Sequence, residues 1–433
     1  MAKKSTKSTK STKSTKSTKS SKSKQSSSAA SKKRSSTNKK AEETKVEEEV
    51  GKEKEKNKSE DDDDKEDNDN AKNVEDEDGE SAEDDNKANP SDDEIEEKML
   101  EALEEDDGAY TGPGFVDVDL SGVELKDVPG VGPSIAKKLE ESGFSNLRAI
   151  ATIPPKILQE ESGIGEKTAQ KIVAAAQEIC KIDFVTADIV FTKRKNLGRI
   201  VTGSNQLNEI LGGGIEAGAI TEFFGEYRTG KTQIAHQACI NVQMPRDQGG
   251  LGGKALYIDT EGTFRPERLA KMAMARGKDV QKALKNVIYA RAYNSEHQIS
   301  ILKQARKIIE KENIMLIVVD SIIGHFRSEF TGLGSLGARQ QILNVHIHQI
   351  LQLVDTYDIA AIVTNQVQAK PDVFFGNPTR ATGGNILAHG STYRVYLRKG
   401  KGDSRVAKMV DAPGLPEAEA AFKITDNGIE DVE

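Results

Sequence analysis

The sequence predicts an α/β domain with a largely parallel sheet, preceded by a small all-α unit and a disordered tail. Three observations predict it. From residue 201 to 433, short apolar runs alternate with amphipathic stretches, the pattern of strands joined by crossover helices. Upstream, a glycine pair recurs 33 residues later in the same register. Before that, no aromatic residue occurs until Tyr110.

Residues 1–117 form the tail. It opens on a Lys-Ser-Thr repeat, and residues 1–40 carry 14 Lys and Arg and no acid. Residues 41–107 carry 33 Asp and Glu against 9 Lys, with a block at Asp61–Asp64. A segment this polar cannot offset its chain entropy by burial. The formal charge of −8 therefore belongs to the tail, because the remainder balances at +2. An acidic chain overall is no argument against a nucleic-acid partner for the rest, and the basic arm suits nonspecific phosphate contact.

Residues 118–181 make the all-α unit. Gly130-Val131-Gly132 opens one half and Gly163-Ile164-Gly165 the other, with Leu139 and Ile172 in equivalent places. A Gly-x-Gly turn between helices lets backbone approach a phosphate, whose charge the next helix N-terminus favours. The unit resembles the tandem helix-hairpin-helix domain, and the four glycines are its candidate DNA contacts. A helical packing module with glycine turns is the bland alternative.

Residues 182–200 are a linker, and 201–433 the α/β domain. Strands are expected at Ala219–Phe224, Ala255–Asp259, Met315–Asp320 and Ala360–Asn365, with helices following from about Gly230, Pro266, Ser295 and Leu336. The segment Gly225-Glu226-Tyr227-Arg228-Thr229-Gly230-Lys231-Thr232 fits a P-loop, and it follows an apolar strand and opens a helix, as that mechanism requires. Its amides would cradle phosphates, Lys231 would neutralise their charge, and the Thr232 hydroxyl would ligate Mg²⁺. Asp320, ending a second apolar strand, suits a carboxylate that holds magnesium through its water shell. Glu261 follows a third strand, where hydrolysis needs a carboxylate to polarise water. Capping the coming helix is the alternative for Glu261. Gln366 could sense the γ-phosphate and pass its state to the loop that follows.

Two Gly-rich segments follow strands on that side of the sheet. The first spans 327–339 with Arg327, Phe330 and Arg339; the second spans 370–384 with Lys370, Phe374, Phe375 and Arg380. Mobile loops carrying cations and rings suit single-stranded DNA, since cations hold phosphates while rings wedge against bases.

The run Tyr257-Ile258-Asp259-Thr260-Glu261-Gly262-Thr263-Phe264-Arg265-Pro266-Glu267-Arg268 resembles the RecA/RadA recombinase family in its archaeal branch. So do Asn365-Gln366-Val367 and Gly383-Gly384-Asn385-Ile386-Leu387-Ala388-His389, and the resemblance runs in order from about 120 to 433. It implies a RecA-like P-loop ATPase core that binds ATP and Mg²⁺, with Gln233 beside the P-loop. It implies that Glu261 is the catalytic glutamate, Arg268 the arginine that stacks on adenine, and Gln366 the nucleotide sensor. His389 would face a neighbour's γ-phosphate, and Asp411 would cap ATP across the same interface. The loops match the family's two DNA-binding loops, except that Leu333 stands where close relatives carry an arginine. In the linker, Phe184-Val185-Thr186-Ala187 matches a polymerisation motif whose Phe184 enters a pocket on the next protomer; Ala187 closes the motif, and Ala290 and Ala292 would line the pocket. A head-to-tail contact of this kind gives a filament or a ring.

The implied protein is a DNA repair and homologous recombination ATPase on single- and double-stranded DNA, meeting mediators and single-strand-binding proteins, cytoplasmic and nucleoid-associated. A mediator paralogue and a RecA-fold ring helicase are its rivals. Intact Lys231, Glu261 and Gln366 speak against the first, the hairpin unit and the linker motif against the second. No apolar run approaches the roughly 18–20 residues of a membrane span. Cys180 and Cys239 lack metal or disulfide spacing. His346 and His348, two apart on an expected helix, face different ways and make no metal pair.

Overall fold

The computed structural model describes residues 120–432 other than 121, 183 and 370–378. The tail, and with it residues 118 and 119 of the expected all-α unit, lies outside them. Helices α1 (Pro133–Glu141), α2 (Leu147–Thr152), α3 (Pro155–Ser162) and α4 (Glu166–Ile179) enclose their own apolar core around Leu139, Phe144, Ile150 and Ile172. Gly132 stands just before α1 and Gly165 just before α4, so the two halves of the repeat are two equivalent turns. The middle residues, Val131 and Ile164, are buried, while the flanking glycines are exposed. A side chain added at Gly132 or Gly163 would meet nothing within 4 Å. Both turns thus anchor inward and present bare backbone outward.

The linker contains a helix, α5 (Ala187–Asn196), none of whose residues is buried. Beyond it come β1 (Arg199–Ile200), α6 (Asn205–Ile210) and β2 (Ile215–Glu216), with β1 and β2 forming a two-stranded antiparallel sheet. The main layer alternates as expected: β3 (Ile220–Gly225), α7 (Lys231–Asn241), β4 (Lys254–Asp259), α8 (Pro266–Ala275), α9 (Val280–Lys285), β5 (Val287–Arg291), α10 (Ser295–Glu312), β6 (Ile314–Asp320), α11 (Gly324–Glu329), α12 (Leu336–Tyr357) and β7 (Ala360–Ala369). After β8 (Thr379–Ala381) and α13 (Gly384–Gly390), four strands complete the chain: β9 (Tyr393–Lys399), β10 (Ser404–Asp411), β11 (Glu419–Ile424) and β12 (Ile429–Asp431).

The ten-stranded sheet runs β12-β11-β10-β9-β3-β7-β6-β4-β5, with β8 paired to β7. Strands β9, β3, β7, β6, β4 and β5 are mutually parallel, and β10 to β12 add an antiparallel flank. Alternation sends Leu316 and Val318 to one face and Ile317 and Val319 to the other. Each face is covered by helices, α7 and α8 on one, α10 and α12 on the other, so the strands read as continuous apolar runs.

The helical unit docks on α10 and α12. Glu161 accepts from the buried Arg306 guanidinium at 2.7 Å, and that guanidinium lies 4.4 Å over the Phe144 ring. Asn146 donates to Glu310 at 2.6 Å, and the hydroxyls of Thr152 and Thr356 meet at 3.2 Å.

One strand is longer than expected. β7 continues past Asn365 to Ala369, because Val367–Ala369 pair antiparallel with β8. The first Gly-rich segment is also not an open loop. Arg327 sits in α11 and Arg339 in α12, with a 3₁₀ turn at Leu333–Ser335 between them. The Phe330 ring packs against the chain's own core, so it is not freely presented to bases.

Candidate functional site

Parallel strands deliver their carboxyl ends to one edge, and register decides which residues meet there. Gly225 of β3 is paired with Gln366 of β7, and Asp259 of β4 with Asp320 of β6. Their crossing loops enclose a cavity of about 900 Å³. Gly225 to Gln233, Glu261, Asp320 and Gln366 all line it, as do Ser321, Thr364 and Arg405, which the sequence reading had not singled out.

Glycine is required at two points of the loop. A Cβ on Gly225 would stand 2.2 Å from the Leu397 carbonyl oxygen, and Gly230 has φ +107° as the residue that turns the loop into α7. Lys231 Nζ donates to the carbonyls of Gly225 and Glu226 at 2.9 and 2.8 Å. Burial pulls its ammonium below the usual lysine range, while Asp320, Glu261 and Glu226 oppose that shift. The lysine is thus a partly desolvated cation at the cavity wall, where its field acts strongly on an anion.

Asp320 is buried with both oxygens engaged: Tyr257 donates to Oδ2 at 2.6 Å and Thr364 donates to Oδ1. Burial and the adjacent Asp320 push the Tyr257 phenol well up, so it stays a donor. Ser321 Oγ is buried, borders the cavity and has no hydrogen-bond partner. Among the described residues no three His, Cys, Asp or Glu form a chelating cluster. The donor set therefore fits a Mg²⁺ ion shared with phosphates and water, which one or two carboxylates and a hydroxyl can hold, rather than a protein-only cage.

Glu261 does not cap the following helix, whose N-cap is Arg265. It is carried by a turn wrapped on the Asp259 carboxylate: the amides of Glu261, Gly262 and Thr263 donate to Oδ1 at 3.0, 2.6 and 3.3 Å, and that of Phe264 to Oδ2 at 3.2 Å. Its Oε1 accepts from Gln366 Nε2 at 2.8 Å. His236, one turn into α7, braces the same segment. Its Nδ1 contacts the Thr232 carbonyl at 2.6 Å, its Nε2 accepts from the Arg265 amide at 3.2 Å, and its ring clusters with those of Tyr257 and Phe264. Burial lowers the His236 pKa, keeping that tautomer neutral. Asp259 and His236 escaped the sequence reading. The only local signal for Asp259 was its place at a strand end, and His236 had none.

Arg268 is fixed by Gln233 Oε1 and by the carbonyls of Thr425 and Asp426, all at 2.6 Å, beside a second hollow of about 520 Å³ that shares Gln233 and Ile424 with the main cavity. A flat guanidinium held this firmly offers a stacking face.

The remaining candidates lie elsewhere. His389 and Asp411 are exposed, and neither lines the cavity. Phe184 is 92% exposed, and Ala187 begins α5. Ala290 is half-buried on β5, an edge strand, whereas Ala292 is fully buried in the chain's own core and offers no open wall. Lys370, Phe374 and Phe375 fall outside the described residues, and Arg380 is placed only as backbone in β8. His346 is buried in α12 while His348 is exposed. Both cysteines are buried and free. No helix among the described residues is long and apolar enough to cross a membrane.

Residues 193–432 match the Rad51 family, and residues 123–178 match the SAM-like helix-hairpin-helix tandem. The chain is also 51% identical over 310 residues to the DNA repair and recombination protein RadA of Aeropyrum pernix, covering 72% of this chain and 97% of that protein.

Proposed function

The chain belongs to the Rad51 family, and we propose that it is a DNA-dependent ATPase that assembles on single-stranded DNA and exchanges strands between homologous DNAs. The observation that carries this reading is the hydrogen bond from Gln366 to Glu261, 2.8 Å long, at the wall of the cavity that Lys231 and Asp320 share. It joins the residue placed to polarise water to the strand that runs on toward the second Gly-rich segment.

In this reading the P-loop amides from Gly225 to Thr232 and the Lys231 ammonium hold the phosphates of ATP. Thr232 and Asp320 hold Mg²⁺, which would supply charge neutralisation at the phosphates. Glu261 takes a proton from the attacking water as the bond to the γ-phosphate breaks. Gln366 responds to the change at its amide and reports it along β7. Arg268 stacks on adenine. Phe184 enters the β5 edge of the next protomer, where Ala290 helps shape the seat, and brings His389 and Asp411 to that protomer's nucleotide. Arg327, Arg339, Arg380 and Lys370 hold DNA phosphates, with Phe374 and Phe375 against bases, and the glycine turns at 130–132 and 163–165 add duplex contacts. Mediators and single-strand-binding proteins are the partners such assembly calls for, and a nucleoid-associated location goes with the substrate.

Strand exchange between an oligonucleotide and a homologous duplex, with ATP and Mg²⁺, tests the reading. The wild type should exchange strands. Glu261→Gln should bind ATP but hydrolyse it about 10²–10⁴-fold more slowly, the usual size of a lost general base. Wild-type hydrolysis by Glu261→Gln would remove Glu261 from its role, and no exchange by the wild type would overturn the function.

A further inference from the structure

Beside the sensor glutamine lies a buried polar network that the hydrolytic scheme does not use. Asn365 is fully buried, and every hydrogen-bonding position of its amide is filled. Its Nδ2 donates to Glu222 Oε1 and to the Thr382 carbonyl, both at 2.7 Å. Its Oδ1 accepts from Thr382 Oγ1 at 2.6 Å and from the Gln366 amide at 2.8 Å. Glu222 is itself buried in the middle of the sheet, and its other oxygen accepts from Arg394 Nε at 2.7 Å.

Thr382 closes the network. Its amide and its hydroxyl both donate toward the Gln366 carbonyl, at 2.9 and 2.8 Å, so the hydroxyl proton is shared between Gln366 and Asn365. Both backbone polar groups of Gln366 are thereby held by two residues. One of them, Thr382, directly follows β8, the strand on which the chain returns to the sheet at Thr379. The other, Asn365, is anchored through Glu222 to β3, the strand beside β7, and through Arg394 to β9 on the far side of β3. A shift of β8 cannot leave Gln366 in place without breaking several buried hydrogen bonds, and such groups are costly to leave unpaired.

We propose that Thr382 is a positioning residue, a hydroxyl latch that ties the returning end of the second DNA segment to the Gln366 backbone, so that DNA engagement sets the sensor's position against Glu261. The inference rests on the DNA-dependent ATPase reading above. It adds to that reading the residue through which the coupling passes, and coupling free energies between sites are commonly worth 5- to 150-fold.

The test measures ATP turnover with and without saturating oligo-deoxythymidine, together with melting temperature, for wild type, Thr382→Val, Thr382→Ala and Thr382→Ser. Valine keeps the shape of threonine and removes the hydroxyl. DNA-stimulated turnover should fall about tenfold in the valine and alanine variants, the scale of one lost buried hydrogen bond. Their turnover without DNA should stay at the wild-type level, and serine should restore stimulation. Full stimulation of Thr382→Val overturns the latch. So does equal loss in the serine variant, or a common fall of basal and stimulated rates with a lowered melting temperature, which would mark a purely structural role. A wild type that DNA does not stimulate overturns the functional reading and takes the latch with it.

Discussion

The cavity around Lys231 and the exposed residues Phe184, His389 and Asp411 are opposite cases. In the cavity, one chain holds its own functional groups: Asp320 has two hydroxyl donors, Asp259 gathers four amides, and Arg268 is fixed by three acceptors. On the surface, Phe184 is 92% exposed, and His389 and Asp411 face outward at the ends of α13 and β10. The difference separates what the folding of one chain organises from what it leaves at the surface. Groups that must be fixed in place before reaction are wired into the sheet, at the cost of buried polar atoms that all need partners. Residues left at the surface cost the single chain little, and in the assembly proposed above they meet a neighbour.

The largest effect should come from breaking the wired half. Lys231→Ala removes the cation that faces the phosphates in a partly desolvated site, where such a charge is worth most. ATP turnover should fall by about 10³-fold or more, while the fold is kept, because Lys231 is only half-buried and its two hydrogen bonds go to its own loop. Turnover and circular dichroism on one preparation check this. Turnover within tenfold of wild type would mean that the loop's amides alone carry the phosphate charge.

The unfinished half should break differently. Burying a Phe side chain contributes about 1.5–3 kcal/mol, so Phe184→Ala should weaken each joint by roughly 10- to 150-fold. Nucleotide binding by the single chain should be untouched, since Phe184 lies outside the cavity. Light scattering should report small particles at concentrations where the wild type forms long ones, and DNA-stimulated turnover should fall with size. A polymeric, fully active Phe184→Ala protein would mean that the exposed ring has another purpose.

The two halves also differed in legibility. Apart from the end of β7, which runs four residues past Asn365, the ends of the expected strands and the helix starts could be read to within a residue or two, because parallel strands buried on both faces leave clear apolar runs; Ala219–Phe224 was expected where Ile220–Gly225 is found. That the P-loop, Glu261 and Gln366 would meet at one edge was legible because each follows the end of an apolar strand. Their supports were not. Tyr257 and Thr364 reach Asp320 across 63 and 44 residues, and His236 reaches Arg265 across 29. Such contacts exist only once the strands are in register. The first Gly-rich segment misled for the opposite reason: its glycines suggested an open loop, yet flanking helices captured most of it and the core took the Phe330 ring.

The smallest effect on activity should come from His346, a wired group remote from the chemistry. It is fully buried in α12, with Nε2 2.9 Å from the Gln298 amide nitrogen and its ring 5.6 Å from Phe326. That amide nitrogen also donates to the Ile322 carbonyl, two residues beyond Asp320, so the imidazole supports the end of β6 from behind. Since Gln298 donates, Nε2 must accept, and the ring is neutral. Burial lowers its pKa from 6.5 to about 4. Above pH 6.5 neither the native nor the unfolded chain protonates this residue, and stability does not depend on it. Between pH 6.5 and about 4 the unfolded chain binds a proton that the native state refuses. Stability therefore falls with falling pH, by at most about 1.4 kcal/mol per unit, and the loss from this group ends once the native histidine also titrates. His346→Gln keeps an acceptor for Gln298 without titrating there. Its melting temperature should decline less steeply than that of the wild type between pH 6.5 and 4, while turnover at neutral pH stays within about twofold, as for a change distant from the reacting groups. Parallel declines in the two proteins would show that His346 takes its proton in the folded state as readily as in the unfolded one. The wired interior would then be wetter at α12 than its burial indicates.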